Sequence, residues 1–185
     1  MKKIMTFLGA LILLFSGFSL LVNLGLFDRE MVRSGNLYFT YRKFGGSCVV
    51  SHGIWEGEEE TLVVEIPDKV DGRRVTAMGS SYPDPFLFNF EAGIASVCGE
   101  EMLPEGAVII PRYMTIRIGK NLRVLRDMEM KQYHCDRNDA NVFYRILVTV
   151  ECAEENRNFY SKDGKLYTKA GNQLIDVFFY ASDYH

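Results

Sequence analysis

Two Asp-Gly pairs, Asp71-Gly72 and Asp163-Gly164, constrain the fold of this chain most. Each sits between short runs of branched and aromatic residues. A two-residue hairpin needs positive φ at both central positions, and Asp-Gly adopts it at little cost. The second pair lies in "NFYSKDGKLYTKAGNQLI", residues 158–175, where Ala170-Gly171-Asn172 marks another turn between "LYTK" and "QLIDVFF". In that last run Ile175, Val177 and Phe179 alternate with Asp176 and Phe178 and predict a strand. A chain punctuated in this way is expected to be mainly β with minor α.

Other runs agree. "LYFTYRKF" (37–44) and "SCVVSHGIW" (47–55) flank Gly45-Gly46 and predict a hairpin. "TLVVEIP" (61–67) places Leu62, Val64 and Ile66 on one face and ends at Pro67. "VFYRILVTVEC" (142–152) aligns Val142, Tyr144, Ile146, Val148 and Val150. Two segments carry helical spacing. Asp84-Pro85 can start a short helix carrying Phe86, Phe90 and Ile94 on one face, though Gly93 and Gly99 also fit an irregular packed insertion, and Leu122, Leu125, Met128 and Gln132 fall at helical spacing. "DRNDAN" (136–141) reads as a loop.

The amino end sets the expected location. After "MKK", residues 4–27 carry no charge. Twenty-four residues at about 1.5 Å each make roughly 36 Å of helix, enough for a bilayer core of about 30 Å. Lys2 and Lys3 precede the run, so the amino terminus is expected in the cytoplasm and the remainder outside. The expected organisation is a transmembrane signal anchor (or signal peptide) at 1–27, a linker at 28–36 and an extracytoplasmic β-rich domain at 37–185. Gly17-Phe18-Ser19 offers small residues for cleavage, which would make the domain secreted, but the apolar run continues well past them. The membrane is thus an expected partner through residues 4–27. A net charge of −3 argues against a nucleic-acid partner. Cys48, Cys98, Cys135 and Cys152 are widely spaced, so free thiols and any of three disulfide pairings both fit.

A pattern recurs along the chain. Ile66-Pro67 leads through Gly72 to Gly79, and Ile110-Pro111 leads to Gly119, with 40 residues between the closing glycines. "VVEIPDKVDGRRVTAMG", "VIIPRYMTIRIG" and "ENRNFYSKDGKLYTKAGNQLI" resemble the BspA-type leucine-rich repeats of bacterial surface proteins. Ile66, Pro67, Gly72, Val75, Thr76 and Gly79 match that family's repeat start. Phe159, Tyr160, Ser161, Asp163, Gly164, Leu166 and Tyr167 match its closing element, with Gly171 in the turn beyond. The Ala-Phe pair that follows the glycine in that family is missing after both Gly79 and Gly119. The resemblance implies a short leucine-rich-repeat-like β-solenoid with terminal hairpins as caps. It also implies adhesion or surface interaction, with no catalytic residue to carry over; a protein or glycan at the cell surface is the expected ligand.

Chemistry is weakly signalled. His134-Cys135-Asp136 has the residue types of a metal site or a nucleophile–base pair, and a metal- or thiol-dependent enzyme is the rival expectation. Neighbours on an extended chain point apart, however. Four acids in "EGEEE" (56–60), and Glu100, Glu101 and Glu105, lack the offsets of a calcium loop or a fixed carboxylate pair. No catalytic, cofactor or metal residue is therefore assigned. Tyr38, Phe39, Tyr41, Phe44 and Trp55, with Phe86, Phe88 and Phe90, are expected mainly in the core. Arg112, Arg117, Lys120, Arg123 and Arg126 are expected on a solvated face. Gly9, Gly17 and Gly25 leave a third expectation, a small subunit of a membrane complex that packs through its apolar helix.

Overall fold

The computed structural model describes residues 29–42, 45–54, 59–79, 88–89, 94–98, 100, 103–126, 133–136 and 138–184. Among the described residues strands make up 61%, almost no helix is present, and the sheet curls as a half-barrel. The strands are β1 (Arg29–Ser34), β2 (Leu37–Arg42), β3 (Ser47–Ile54), β4 (Thr61–Ile66), β5 (Lys69–Val70), β6 (Arg73–Gly79), β7 (Phe88–Asn89), β8 (Ile94–Cys98), β9 (Val108–Ile118), β10 (Val124–Arg126), β11 (Tyr133–Asp136), β12 (Val142–Cys152), β13 (Phe159–Lys162) and β14 (Lys165–Thr168). A 3-10 turn at Ala181–Asp183 follows.

One sheet runs β1-β2-β3-β6-β10, with β5 on β6 and β7 on β3; a second runs β4-β9-β12-β11-β8. Within the first, β3, β6 and β10 are parallel. Within the second, β4, β9 and β12 are parallel. The chain visits them alternately: β3, β4, β6, β9, β10, β12. Parallel neighbours cannot be joined by a tight turn, and here the crossing to the opposite sheet supplies the connection.

The core fills the space between these sheets. Phe39, Val50, Val75 and Met78 face it from the first, and Val64, Ile66, Met114, Ile116, Ile118, Ile146, Val148 and Val150 from the second. Phe159, Leu166, Phe178 and Tyr180 close it from the carboxyl end. That end also covers an open strand edge. The first part of β12 pairs with β11. Further along, Val148 N donates to Phe179 O (2.7 Å), Val150 N to Gly164 O (2.8 Å) and Cys152 N to Ser161 Oγ (2.9 Å). An edge left bare would invite pairing with other chains.

Both Asp-Gly turns form as expected. Asp71 and Gly72 have φ of 49° and 75°, and Asp163 and Gly164 have 53° and 75°. The β2–β3 hairpin and the long β12 also match expectation. Four expectations change. Residues 29–34, expected within the linker, form β1, paired with β2 through Gly35-Asn36; backbone bonds to β2 hold an edge strand that its polar side chains conceal. The helical spacing at Leu122 and Leu125 is accidental: Leu125 lies in β10, beside Met78 of β6. Residues 173–179 form only an isolated bridge, Tyr167 to Leu174, and a turn at 176–177 shifts the alternation. Phe178 and Tyr180, not Phe179, are consequently buried. Of the helix expected from Asp84, residues 84–87 and 90 lie outside the described residues, and Ile94 lies in β8.

The fourth change concerns the repeat. In β4–β9–β12 register, Ile66 stands beside Ile118, and Ile118 beside Cys152. Ile66-Pro67 therefore corresponds to Ile118-Gly119, not to Ile110-Pro111. Ile110 and Pro111 lie inside β9, opposite Tyr144 and Arg145. Residues 4–27 lie outside the described residues; among those described, no helix is long and apolar enough to cross a membrane.

Candidate interaction faces

Strand alternation separates the two reactive residue types in "HCD". His134 stands beside Tyr144 in the β11–β12 register, and Cys135 stands beside Phe143. Cys135 packs with Tyr133 and Phe143 in a small second core covered by Leu103 and Ala107. His134 faces the other way and is also buried. Asp136 is engaged structurally. It accepts the Tyr144 hydroxyl (2.6 Å) and the backbone N–H groups of Asn138 (2.7 Å) and Asp139 (3.2 Å). The Tyr144 hydroxyl, followed by the Asn138 amide, holds the Asp136 carboxyl below its ordinary range. Among the described residues no group of three His, Cys, Asp or Glu could hold a metal.

Cys48, Cys135 and Cys152 are free thiols. Burial pushes the Cys48 thiol up and the Cys152 thiol to about 11. A nucleophilic thiol needs the opposite shift.

The outer face of β4, β9 and β12 is ordered differently. Its side chains form rows across three parallel strands: Thr61–Tyr113–Leu147, Val63–Thr115–Thr149 and Glu65–Arg117–Glu151. In the last row Arg117 donates from Nη1 to Glu65 (2.8 Å) and from Nε to Glu151 (2.7 Å). All three side chains are about half exposed, so solvent screens these ion pairs and they add little to stability. Val63 and Tyr113 are exposed on this face, and Leu147 is buried. Upstream, β9 extends past the start of β4, so, among the described residues, 108–112 pair only with β12. Val108, Ile109 and Ile110 are exposed there. Such a row offers surface contact rather than bond-making chemistry.

No protein-family model, curated protein or solved structure matches the chain.

The remaining sequence candidates divide between core and surface. Phe39 is wholly buried. Tyr38 stacks on His52 with centroids 4.3 Å apart, and Tyr41 lies under the Arg73 guanidinium at 3.8 Å. Phe44, Trp55, Phe86 and Phe90 lie outside the described residues, as does the Phe88 side chain. The basic residues do not form one stripe. Arg112 lies over the Tyr144 ring at 4.7 Å, Arg117 binds two glutamates, and Lys120 pairs with Asp68 at 2.9 Å. Arg126 turns to a groove on the opposite sheet. Glu59, Glu60, Glu100 and Glu105 are exposed.

Of the positions in the repeat pattern, Gly79 and Gly119 sit at strand ends and Gly171 in a turn, whereas Ile110 and Pro111 lie within β9. Gly79 has φ of 124°, and a Cβ there would lie 1.7 Å from Arg126 O. A Cβ on Gly119 would lie 2.8 Å from both Ile66 O and Asp68 Oδ1. Gly171 has φ of 90° in the last turn. Sequence reasoning missed Asn156, which is fully buried. Its Nδ2 donates to Gly119 O (2.8 Å) and Leu122 O (3.1 Å), and its Oδ1 accepts from Asn158 N and Phe159 N (both 2.9 Å). One corner earlier, Asn121 Nδ2 donates to Asp68 O (3.0 Å). A polar residue just after each corner was the available signal.

Proposed function

We propose that this chain is a membrane-anchored, extracytoplasmic β domain of BspA-type leucine-rich-repeat character, which binds or scaffolds at a bacterial surface without catalysis. The observation that carries the reading is the alternate return of the chain to two sheets, each return parallel to the last. Stacking of that kind is how repeat coils bury faces that no single unit can bury. On this reading Ile66-Pro67, Ile118-Gly119 and Cys152-Ala153 are successive corners of a short solenoid. The β1–β2–β3 meander caps one end and the 158–180 segment the other. The row face of β4, β9 and β12, with the apolar margin at Val108–Ile110, is the natural contact surface for a protein or glycan.

Protease shaving of intact bacterial cells making the full chain, tagged at both ends, tests the anchored topology. A tag after His185 is removed from outside while a tag before Met1 survives until the cells are opened. Protection of both tags in intact cells would contradict the reading.

A further inference from the structure

We infer that the outer face of the first sheet docks on the anionic headgroups of the bilayer that holds the proposed anchor, an inference that rests on that anchored reading. Arg29 of β1 and Arg42 of β2 are direct cross-strand partners, so both project from the same face. Like charges placed directly opposite on neighbouring strands are destabilising. Arg126, from the end of β10, joins them around a groove of about 250 Å³ with Thr40, Ser47 and Val49. No carboxylate among the described residues lines this groove. A phosphate between the guanidiniums turns their repulsion into charge-assisted, two-pronged hydrogen bonds.

Two more features single out a membrane surface as the source of that phosphate. β1 begins at Arg29, with only Asp28 between it and the apolar run 4–27, so an anchored chain holds this sheet at headgroup level. Met31, 59% exposed, projects between Arg29 and Arg33 on the same face, an apolar side chain flanked by cations as an interfacial surface requires. The charge balance agrees. Among the described residues, β1, β2, β3, β5, β6 and β10 with the residues next to them carry Arg29, Arg33, Arg42, Lys69, Arg73, Arg74, Arg123 and Arg126 against Glu30, Asp68 and Asp71, although the whole chain is at −3. Glu30 lies on the other side of β1, beside the Tyr41 hydroxyl.

Arginine footprinting of the full chain tests this. The chain is placed in lipid nanodiscs of phosphatidylcholine alone or with phosphatidylglycerol, modified with phenylglyoxal and read by mass spectrometry. Arg42 and Arg126 should react about fivefold more slowly in the phosphatidylglycerol discs, the size expected for one basic group at an anionic surface. Arg157, away from this sheet, should react equally in both. In R42E/R126E the protection of Arg29 should disappear while circular dichroism stays unchanged. Equal reactivity of Arg42 and Arg126 in both discs would overturn the docking inference alone. Equal protection by inorganic phosphate at the same phosphate concentration would overturn the membrane as the source. A chain that stays out of the discs and in solution would overturn the anchored reading itself.

Discussion

The two Ile-Pro pairs are alike in sequence and unlike in the molecule. Ile66-Pro67 ends β4, and the chain turns away to the other sheet. Ile110-Pro111 lies within β9, which runs on to Ile118. The difference comes from the neighbours. Among the described residues only β12 pairs with β9 at Pro111, because β4 begins opposite Tyr113, and a strand can carry a proline where one edge is open. At Pro67 the chain meets the next corner. Gly119 N donates to Ile66 O (2.9 Å), Lys120 N to Asp68 Oδ1 (2.8 Å), and Val75 N to Asp68 O (3.0 Å). Similar dipeptides therefore mark a corner only where another corner stacks on them.

Substitutions can break this comparison, and the largest effect is expected at the glycine closing the first pattern. Gly79→Ala forces a side chain into positive φ and into the Arg126 carbonyl. A loss of about 4 kcal/mol or more is expected in urea unfolding. Asn156→Ala comes next. It leaves the Gly119 carbonyl and two amides without their partner and the Leu122 carbonyl with only the longer bond from Asn158 Nδ2, for a loss of about 3 kcal/mol by the same measurement. Gly119→Ala should cost about 2 kcal/mol, since its φ is ordinary but the Ile66 carbonyl lies close. Pro111→Val should change stability by less than about 0.5 kcal/mol, as expected for an exposed edge position. A cost at Pro111 matching that at Gly119 would mean that both Ile-Pro pairs are corners after all.

The corner also carries a pH dependence. The Lys120 ammonium, in a side-chain hydrogen bond with Asp68, holds that carboxyl below its ordinary value of 3.8. A carboxyl with a lowered folded value contributes stability that is complete above the unfolded value and is lost as pH falls through the folded one. Asp68→Asn should remove that part of the acid loss, in thermal melting followed from pH 5 downward. The wild type should keep a steeper decline below about pH 4 than the variant. Because Asp68 is partly exposed, the effect should be the smallest of the set and should weaken with salt.

The parts of the fold that sequence makes plain are those decided by neighbours along the chain. Asp71-Gly72 and Asp163-Gly164 dictate their turns by backbone preference alone, and the alternation in 61–66 and 142–152 assigns faces without knowledge of the partner strands. What stayed hidden depends on contacts distant in sequence. β1 is held by pairing with β2, which its polar side chains do not advertise. Leu122 and Leu125 are spaced like a helix because one is buried at a corner and the next lies in a strand, a coincidence of two environments. The correspondence of Ile66 with Ile118 was masked because Pro67 and Gly119, which follow neighbouring parallel strands, have different chemistry. On the candidate surfaces, the opposed directions of His134 and Cys135 follow from strand alternation alone. The groove of Arg29, Arg42 and Arg126 needs three strands brought together and leaves no trace in the order of residues.

The register of β4, β9 and β12 is the central claim, and side-chain nuclear Overhauser effects at Ile66 test it most directly. Contacts from Ile66 to Ile118, with Ile118 in turn touching Cys152, are the predicted result. Contacts from Ile66 to Ile110 would contradict it and restore the two Ile-Pro pairs as equivalent corners.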